Sequence, residues 1–287
     1  MRFLAIHRPF AVTTSPMINY ESQTKGLLVR ILVTNDDGVL SEGLWTLVRE
    51  LQNIARIIVV APDREQSAVG TAVTLRQTLR VQKITPVVPE IETYSVEGTP
   101  SDSVILALGK LIKNKIDLVI SGVNQGLNLG EDVHISGTVG AALQGYLHGF
   151  PSLAISAPYD NSQLLNTAAR VATLLAKRIV TDPPPTNIFL NVNLPDLPLA
   201  EIGEAKITRL ASESHLNTVE EGDDGRRKYY WLVRQKAGQS TNSETDMWAI
   251  EQGNISITPL HNNHPDQPAR LVLNKLCAGL LQELQNY

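Results

Sequence analysis

The chain has 287 residues, of which 43% are hydrophobic and 19% charged, and its formal net charge is −4. That composition is ordinary for a globular protein, and it provides no overall basic field to recruit a nucleic-acid duplex. The lone cysteine, Cys277, excludes an internal disulfide framework and fits a cytoplasmic protein, and no apolar run approaches the roughly 20 residues of a membrane span.

Residues 1–27 hold Arg2, His7, Arg8 and Lys25, and only a short apolar patch from Phe3 to Ile6. That patch is too short for a secretory core. The Ser/Thr content and late first acid, Glu21, faintly resemble a transit peptide. The better reading is a disordered extension outside the folded core.

Residues 29–34 (V-R-I-L-V-T) are short and β-branched, and they run straight into Asn35-Asp36-Asp37-Gly38. They read as a buried strand ending in a polar turn. Leu44, Leu47, Val48 and Leu51 have helical spacing and predict a helix over 43–52. A second buried strand follows at 55–61 and ends in Pro62-Asp63-Arg64. Strand, helix and strand in that order make a βαβ unit, hence a parallel sheet with a right-handed crossover.

The alternation continues. A helix is predicted over 101–112, capped by Thr99 or Ser101. Strands follow at 116–121, 152–156 and 188–192, and helices at 137–147 and 164–179. The fold class is therefore α/β: a Rossmann-like, mostly parallel sheet with helices on both faces, spanning 28–193. Beyond Asn193 the texture changes, with Pro195 and Pro198 as punctuation. Strand-like pieces occur at 205–210, 229–233 and 255–258, and 220–227 reads as a flexible hairpin or loop. A terminal helix is expected over 269–285. Residues 194–287 thus form a smaller β-rich extension, expected to serve oligomerisation.

Three strand ends carry polar turns, where ligands sit in open parallel sheets. Asp36 and Asp37 are adjacent carboxylates at the end of a buried strand. Their repulsion and lost solvation call for an offset, and a hard cation is the simplest. On its own, N-D-D-G is also good turn chemistry. Ser67, after the second strand, offers a hard oxygen, and Arg64 offers a fork for phosphate. The third end is Ser121-Gly122-Val123-Asn124-Gln125-Gly126-Leu127-Asn128-Leu129-Gly130. Its glycines allow close backbone approach, and Asn124 and Asn128 can donate to an anion or coordinate a cation. The loop fits neither the Walker A nor the dinucleotide fingerprint. Ser136-Gly137-Thr138 opens a helix whose free N–H groups suit a phosphate, though ordinary capping uses the same residues. Asp63, Asp132 and His134 are secondary candidates. Cys277 reads as buried packing.

These stretches resemble the SurE family, the stationary-phase survival proteins and 5′-nucleotidases. The resemblance rests on I-L-V-T-N-D-D-G, V-V-A-P-D-R-E-Q-S, V-E-G-T-P-S-D-S-V, D-L-V-I-S-G-V-N-Q-G-L-N-L-G-E-D-V, I-S-G-T-V-G-A-A, N-V-N-L-P and T-D-M-W-A-I-E-Q-G-N-I-S-I-T-P-L, and it covers roughly 29–260. It implies a Rossmann-like domain with a C-terminal extension, assembled as a homodimer or homotetramer. It implies hydrolysis of nucleoside 5′-monophosphates, with 3′-monophosphates and short polyphosphate as further candidate substrates. It implies one divalent cation per subunit, Mg²⁺ or Mn²⁺, on Asp36, Asp37, Ser67 and Asn124. The phosphate falls to Ser136, Gly137 and Thr138, with Asn128 as a further candidate. Asp36 and Asp37 are the catalytic candidates, and Asp37 is the better of the two for orienting water. Departures from the family pattern are Val39-Leu40-Ser41 after N-D-D-G, Ala68, His134, and Asp224-Gly225 without the usual proline. None falls on a metal ligand.

Two competing readings are weaker. A covalent aspartyl-phosphate mechanism typically needs an acid two residues past the nucleophile, where this chain has Gly38 or Val39. A non-catalytic nucleotide sensor need not keep four ligands.

Overall fold

The structure is a computed structural model. It describes residues 29–159, 161–184, 187–212, 216–234, 242–260 and 267–287. The expected extension at 1–27 lies outside the described residues.

Nine strands of the described residues form one sheet: β1 (Arg30–Thr34), β2 (Arg56–Pro62), β3 (Val81–Lys83), β4 (Glu92–Val96), β5 (Leu118–Gln125), β6 (Ser152–Ala157), β7 (Phe189–Asn193), β8 (Ala205–Ile207) and β11 (Ile255–Pro259). Their order is β3-β4-β2-β1-β5-β6-β7-β11-β8. The stretch from β4 to β7 is parallel throughout. Both edges turn antiparallel: β3 runs against β4, and β11 runs against β7.

The inner strands are apolar because both of their faces are covered. Helices α1 (Glu42–Leu51) and α4 (Ser162–Thr181) bury Leu44, Trp45, Leu164 and Ala168 against Ile31, Val33, Leu118 and Ile120. On the other face, α2 (Pro100–Leu106) and α3 (Gly137–Leu147) bring Val104 and Ala141 to Leu32, Val60 and Val119. The alternation of Ile31, Leu32 and Val33 between the two clusters is the period-2 geometry of a strand. The expected Rossmann-like α/β architecture is borne out.

Several boundaries differ from the sequence reading. The helix expected over 101–112 is α-helical only to Leu106 and then widens into a π-helical turn, Ala107–Leu111. The strand expected to stop at Ser121 continues to Gln125, with a register shift between Ser121 and Asn124. Gly122 permits this. Its φ is +137°, and a Cβ there would lie 2.4 Å from the Ile155 carbonyl oxygen. The terminal helix is two helices, α6 (Gln267–Cys277) and α7 (Leu280–Gln285), parted by Gly279 at φ +65°. Strands β3 and β4 were not expected. They lie toward the sheet edge, where polar positions dilute the apolar signal.

Two strands after Asn193 rejoin the main sheet: β11 pairs with β7, and β8 pairs with β11 at the edge. The rest makes a separate two-stranded ribbon, β9 (Leu216–Asp223) and β10 (Lys228–Arg234). The Asp224 carboxylate closes its turn by accepting the Arg226 and Arg227 N–H groups at 2.8 Å each. The segment 220–227, read as a flexible hairpin or loop, is the end of β9 and the turn of this ribbon. A short helix, α5 (Asp246–Glu251), follows it. Among the described residues no helix is long and apolar enough to cross a membrane.

Candidate active site

The carboxyl ends of β2, β1 and β5 are neighbours, so their loops meet. Asn35 pins the first turn by donating to the Gly38 carbonyl at 3.0 Å and the Ser41 hydroxyl at 2.7 Å. Val39 N–H then donates to the Pro62 carbonyl at 2.8 Å. Gln66 N–H donates to the Asp36 carbonyl at 2.7 Å. The β1 and β2 loops are therefore one structure, and Ser67 sits beside its junction.

Asp36 is buried. The start of α3 is driven against it. The Thr138 hydroxyl donates to Asp36 Oδ1, and the Thr138 main-chain N–H also favours the charged carboxylate. Gly137 makes this approach possible, because a Cβ there would meet Asp36 Oδ2 at 2.9 Å and the Gln66 carbonyl at 3.2 Å. The Ser136 hydroxyl accepts the Val139 N–H at 3.1 Å and caps the helix.

Asp37 is held from the β5 side, where the Gln125 main-chain N–H donates to its carboxylate. Its Oδ2 is buried with no hydrogen-bond partner. The adjacent Asn124 donates its amide N–H to the Gly126 carbonyl at 2.6 Å. That contact leaves the Asn124 amide oxygen as the coordinating end. Ser67 is exposed and donates to Glu65 Oε1 at 2.7 Å.

The electrostatics follow from burial. Desolvation, then the charge of Asp36, then Glu65 push Asp37 up to about 7, against the opposing Gln125 hydrogen bond. Desolvation also raises Asp36, with a smaller push from Glu65, and the Thr138 donors oppose it. Two like-charged groups held together out of water are a site that favours a cation. The orphaned Asp37 Oδ2 and the all-oxygen donor set fit a hard divalent ion. Among the described residues no three His, Cys, Asp or Glu gather. The carboxylate pair would thus be completed by the neutral oxygens of Ser67 and Asn124.

The other candidates fall elsewhere. Asn128 is buried and internally engaged. Its N–H donates to Asn193 Oδ1 at 2.8 Å and its amide to the Ser156 hydroxyl at 2.9 Å. His134 is exposed at the end of a 3₁₀ turn, Gly130–His134. Asp132 is buried in that same turn. Asp63 is exposed and pairs with Arg64 at 3.4 Å. Cys277 is half-buried, and burial pushes its thiol up to about 11.

Two buried acids escaped the sequence reading. Asp102 accepts Thr74 N–H at 2.8 Å, the Thr74 hydroxyl at 2.7 Å and Thr99 N–H at 2.9 Å, so it ties the loop after β2 to α2. Asp246 accepts the main-chain N–H of Gly130 at 2.8 Å. The available signal was an acid directly after a Ser/Thr or Pro at a helix start, as in T-P-S-D and T-D-M-W.

Fold and site together define a Rossmann-like α/β protein with an acidic Asp36-Asp37 pair at the carboxyl edge of its sheet. Residues 31–217 match the family model described as Survival protein SurE, and the chain belongs to that family. It is 54% identical over 255 residues to a Dehalococcoides mccartyi protein named 5′-nucleotidase SurE, covering 88% of this chain and 96% of that one. A Vibrio parahaemolyticus protein of the same name is 44% identical over 234 residues, covering 81% and 88%. The crystal structure of the SurE protein from Aquifex aeolicus aligns with a TM-score of 0.70 at 34% identity, covering 86% of this chain and 99% of that one. The family resemblance seen in the motifs is borne out.

Proposed function

We propose that this chain hydrolyses nucleoside 5′-monophosphates to nucleoside and phosphate, and also accepts 3′-monophosphates and short polyphosphate. One divalent cation per subunit, Mg²⁺ or Mn²⁺, would be held by Asp36, Asp37, Ser67 and Asn124. The observation that carries this reading is the buried Asp36-Asp37 pair with α3 starting against it. The relatives named 5′-nucleotidase SurE support the substrate class.

When bound, the cation supplies Lewis-acid polarisation of the phosphoryl group. The chain's own residues do the rest. Thr138 fixes the Asp36 carboxylate in one orientation. Gly137 brings the N–H end of α3 to the same place, where it stabilises equatorial phosphoryl charge. Ser136 keeps that first turn formed, and Asn128 holds the loop leading into it. Asp37, beside the cation position, also orients the attacking water. No covalent intermediate on either aspartate is needed.

Residues 28–193 are the catalytic core and 194–287 the oligomerising segment of a homodimer or homotetramer. The exposed Trp231 and Leu232 of the ribbon support that assembly. A cytoplasmic location fits the single cysteine. A phosphomonoester panel, assayed first with chelator and then with each metal added back, tests the activity. Turnover restored by Mg²⁺ or Mn²⁺ is expected. Turnover that persists in chelator would remove the cation from the reading, and none with any metal would sink the phosphatase.

A further inference from the structure

The glycine-rich loop after β5 is fixed at two points. Asn191 and Asn193, fully buried on β7, donate their amides to the Asn128 carbonyl at 2.8 and 3.0 Å, and Asn193 Oδ1 accepts the Asn128 N–H. That fixes the loop's middle from the core. Its end is fixed from the C-terminal segment. Gly130 N–H donates to Asp246 Oδ2 at 2.8 Å, while Asp246 Oδ1 accepts Ala211 N–H and Met247 N–H at 2.9 Å each.

Asp246 has no solvent exposure. A carboxylate is costly to bury unless its hydrogen bonds are made. Capping α5 does not require it, because Thr245 is the cap and its hydroxyl accepts the Trp248 N–H at 3.3 Å. Within the helix the carboxylate satisfies only the Met247 N–H. What it adds is the reach to Gly130 and Ala211. Nearby, Arg209 N–H donates to the Glu244 carbonyl and Asp246 N–H to the Arg209 carbonyl, both at 2.9 Å. The two ends of the segment that carries the ribbon thus meet at the same place.

The path from Gly130 to the α3 start is short and stiff. Asp132 N–H returns to the Leu129 carbonyl at 3.2 Å, Ile135 N–H to the Asp132 carbonyl at 3.1 Å, and Gly70 N–H donates to the Ile135 carbonyl at 2.8 Å. That turn joins Gly130 to Ser136, Gly137 and Thr138.

We propose that Asp246 is a positioning residue for hydrolysis. It clamps the glycine-rich loop to the base of the ribbon and so sets where the α3 start stands relative to Asp36. The proposal rests on the phosphatase reading above. Asp246→Asn keeps the shape but replaces one acceptor by an amino group that faces a donor. With a nucleoside 5′-monophosphate and Mn²⁺, kcat/KM should fall roughly 10- to 100-fold. KM itself should rise, which a mere loss of folded molecules would not cause. Hydrogen exchange should show the Gly130 amide losing protection while the core-held Asn128 amide and those of α4 keep theirs.

Unchanged KM and unchanged exchange over 126–134 would overturn the proposal. A parent without cation-dependent turnover would sink the phosphatase reading, and with it the catalytic role of the clamp. Exchange would still show whether the clamp itself exists. Should Asp246→Asn not fold, Thr245→Ala loosens the same helix start more gently. It should raise KM in the same direction, and an unchanged KM would count against the clamp.

Discussion

Gly137 abuts Asp36 so closely that a Cβ at position 137 would stand 2.8 Å from the Asp36 Cβ. This contact makes the helix start and the carboxylate one unit. Gly137→Ala therefore has an expected sign opposite to the usual one. Alanine normally favours a helix by about 1 kcal/mol over glycine. Here the added methyl meets Asp36 and the Gln66 carbonyl, and overpacking of that type costs about 1–3 kcal/mol. Thermal unfolding should show a lower Tm, and kcat/KM with Mn²⁺ should fall by roughly 100-fold as the helix start is pushed off the carboxylate. A variant more stable than the parent would contradict the contact.

Asp36→Asn separates function from fold. The carboxamide oxygen still accepts from the Thr138 hydroxyl, so the local geometry has little reason to change. Desolvation already disfavours the charge at this position. Without a cation the variant should be at least as stable as the parent in denaturant, and a cation should no longer stabilise it. Turnover should fall at least roughly a thousandfold, the several kcal/mol that cation polarisation contributes. Unchanged turnover would remove Asp36 from the site.

The pair also couples stability to pH, and the sign follows from the direction of the shifts. Asp37 is raised to about 7 in the folded chain, from about 3.9 for an unfolded aspartate. A raised carboxyl contributes stability that is fully present below the unfolded value and lost as pH rises through the folded one. With chelator present, the urea midpoint attributable to the pair should decline between about pH 4 and 8. Mg²⁺ or Mn²⁺ should reverse that decline, because the ion binds the deprotonated pair. Asp37→Asn should flatten the chelator curve. A decline of equal size in Asp37→Asn would locate the effect elsewhere.

The sequence made legible whatever depends on local chemistry. The β-branched run 30–34 flowing into Asn35-Asp36-Asp37-Gly38 marks a strand end, and Ser136-Gly137-Thr138 marks a helix start. Both stand where the reading put them. What stayed hidden depends on distant partners. Asp246 looks like a capping acid, and nothing near it names Gly130. Asn191 and Asn193 alternate with Leu190 and Val192 in a fully buried strand, and that visible polar anomaly is explained only by the Asn128 main chain. Strand β4 was missed because Glu92-Thr93-Tyr94-Ser95-Val96 is only partly buried, so its apolar signal is diluted.

The ribbon allows a test of assembly that does not damage the core. Truncation after Asn193 would strip β11 from β7 and leave a buried strand as a raw edge, so aggregation would obscure the result. Among the described residues the ribbon strands pair only with each other. The chain also closes beneath them, where Arg209 N–H bonds the Glu244 carbonyl. Replacing residues 213–242 with a short Gly-Asn turn should therefore leave a folded core. It should also remove the exposed Val219, Tyr230, Trp231 and Leu232, an apolar surface of the type that marks association sites. Light scattering should give a dimer or tetramer for the parent and a monomer for the variant, with cation-dependent turnover at least partly retained. A variant with the parent's particle mass would assign assembly to another face.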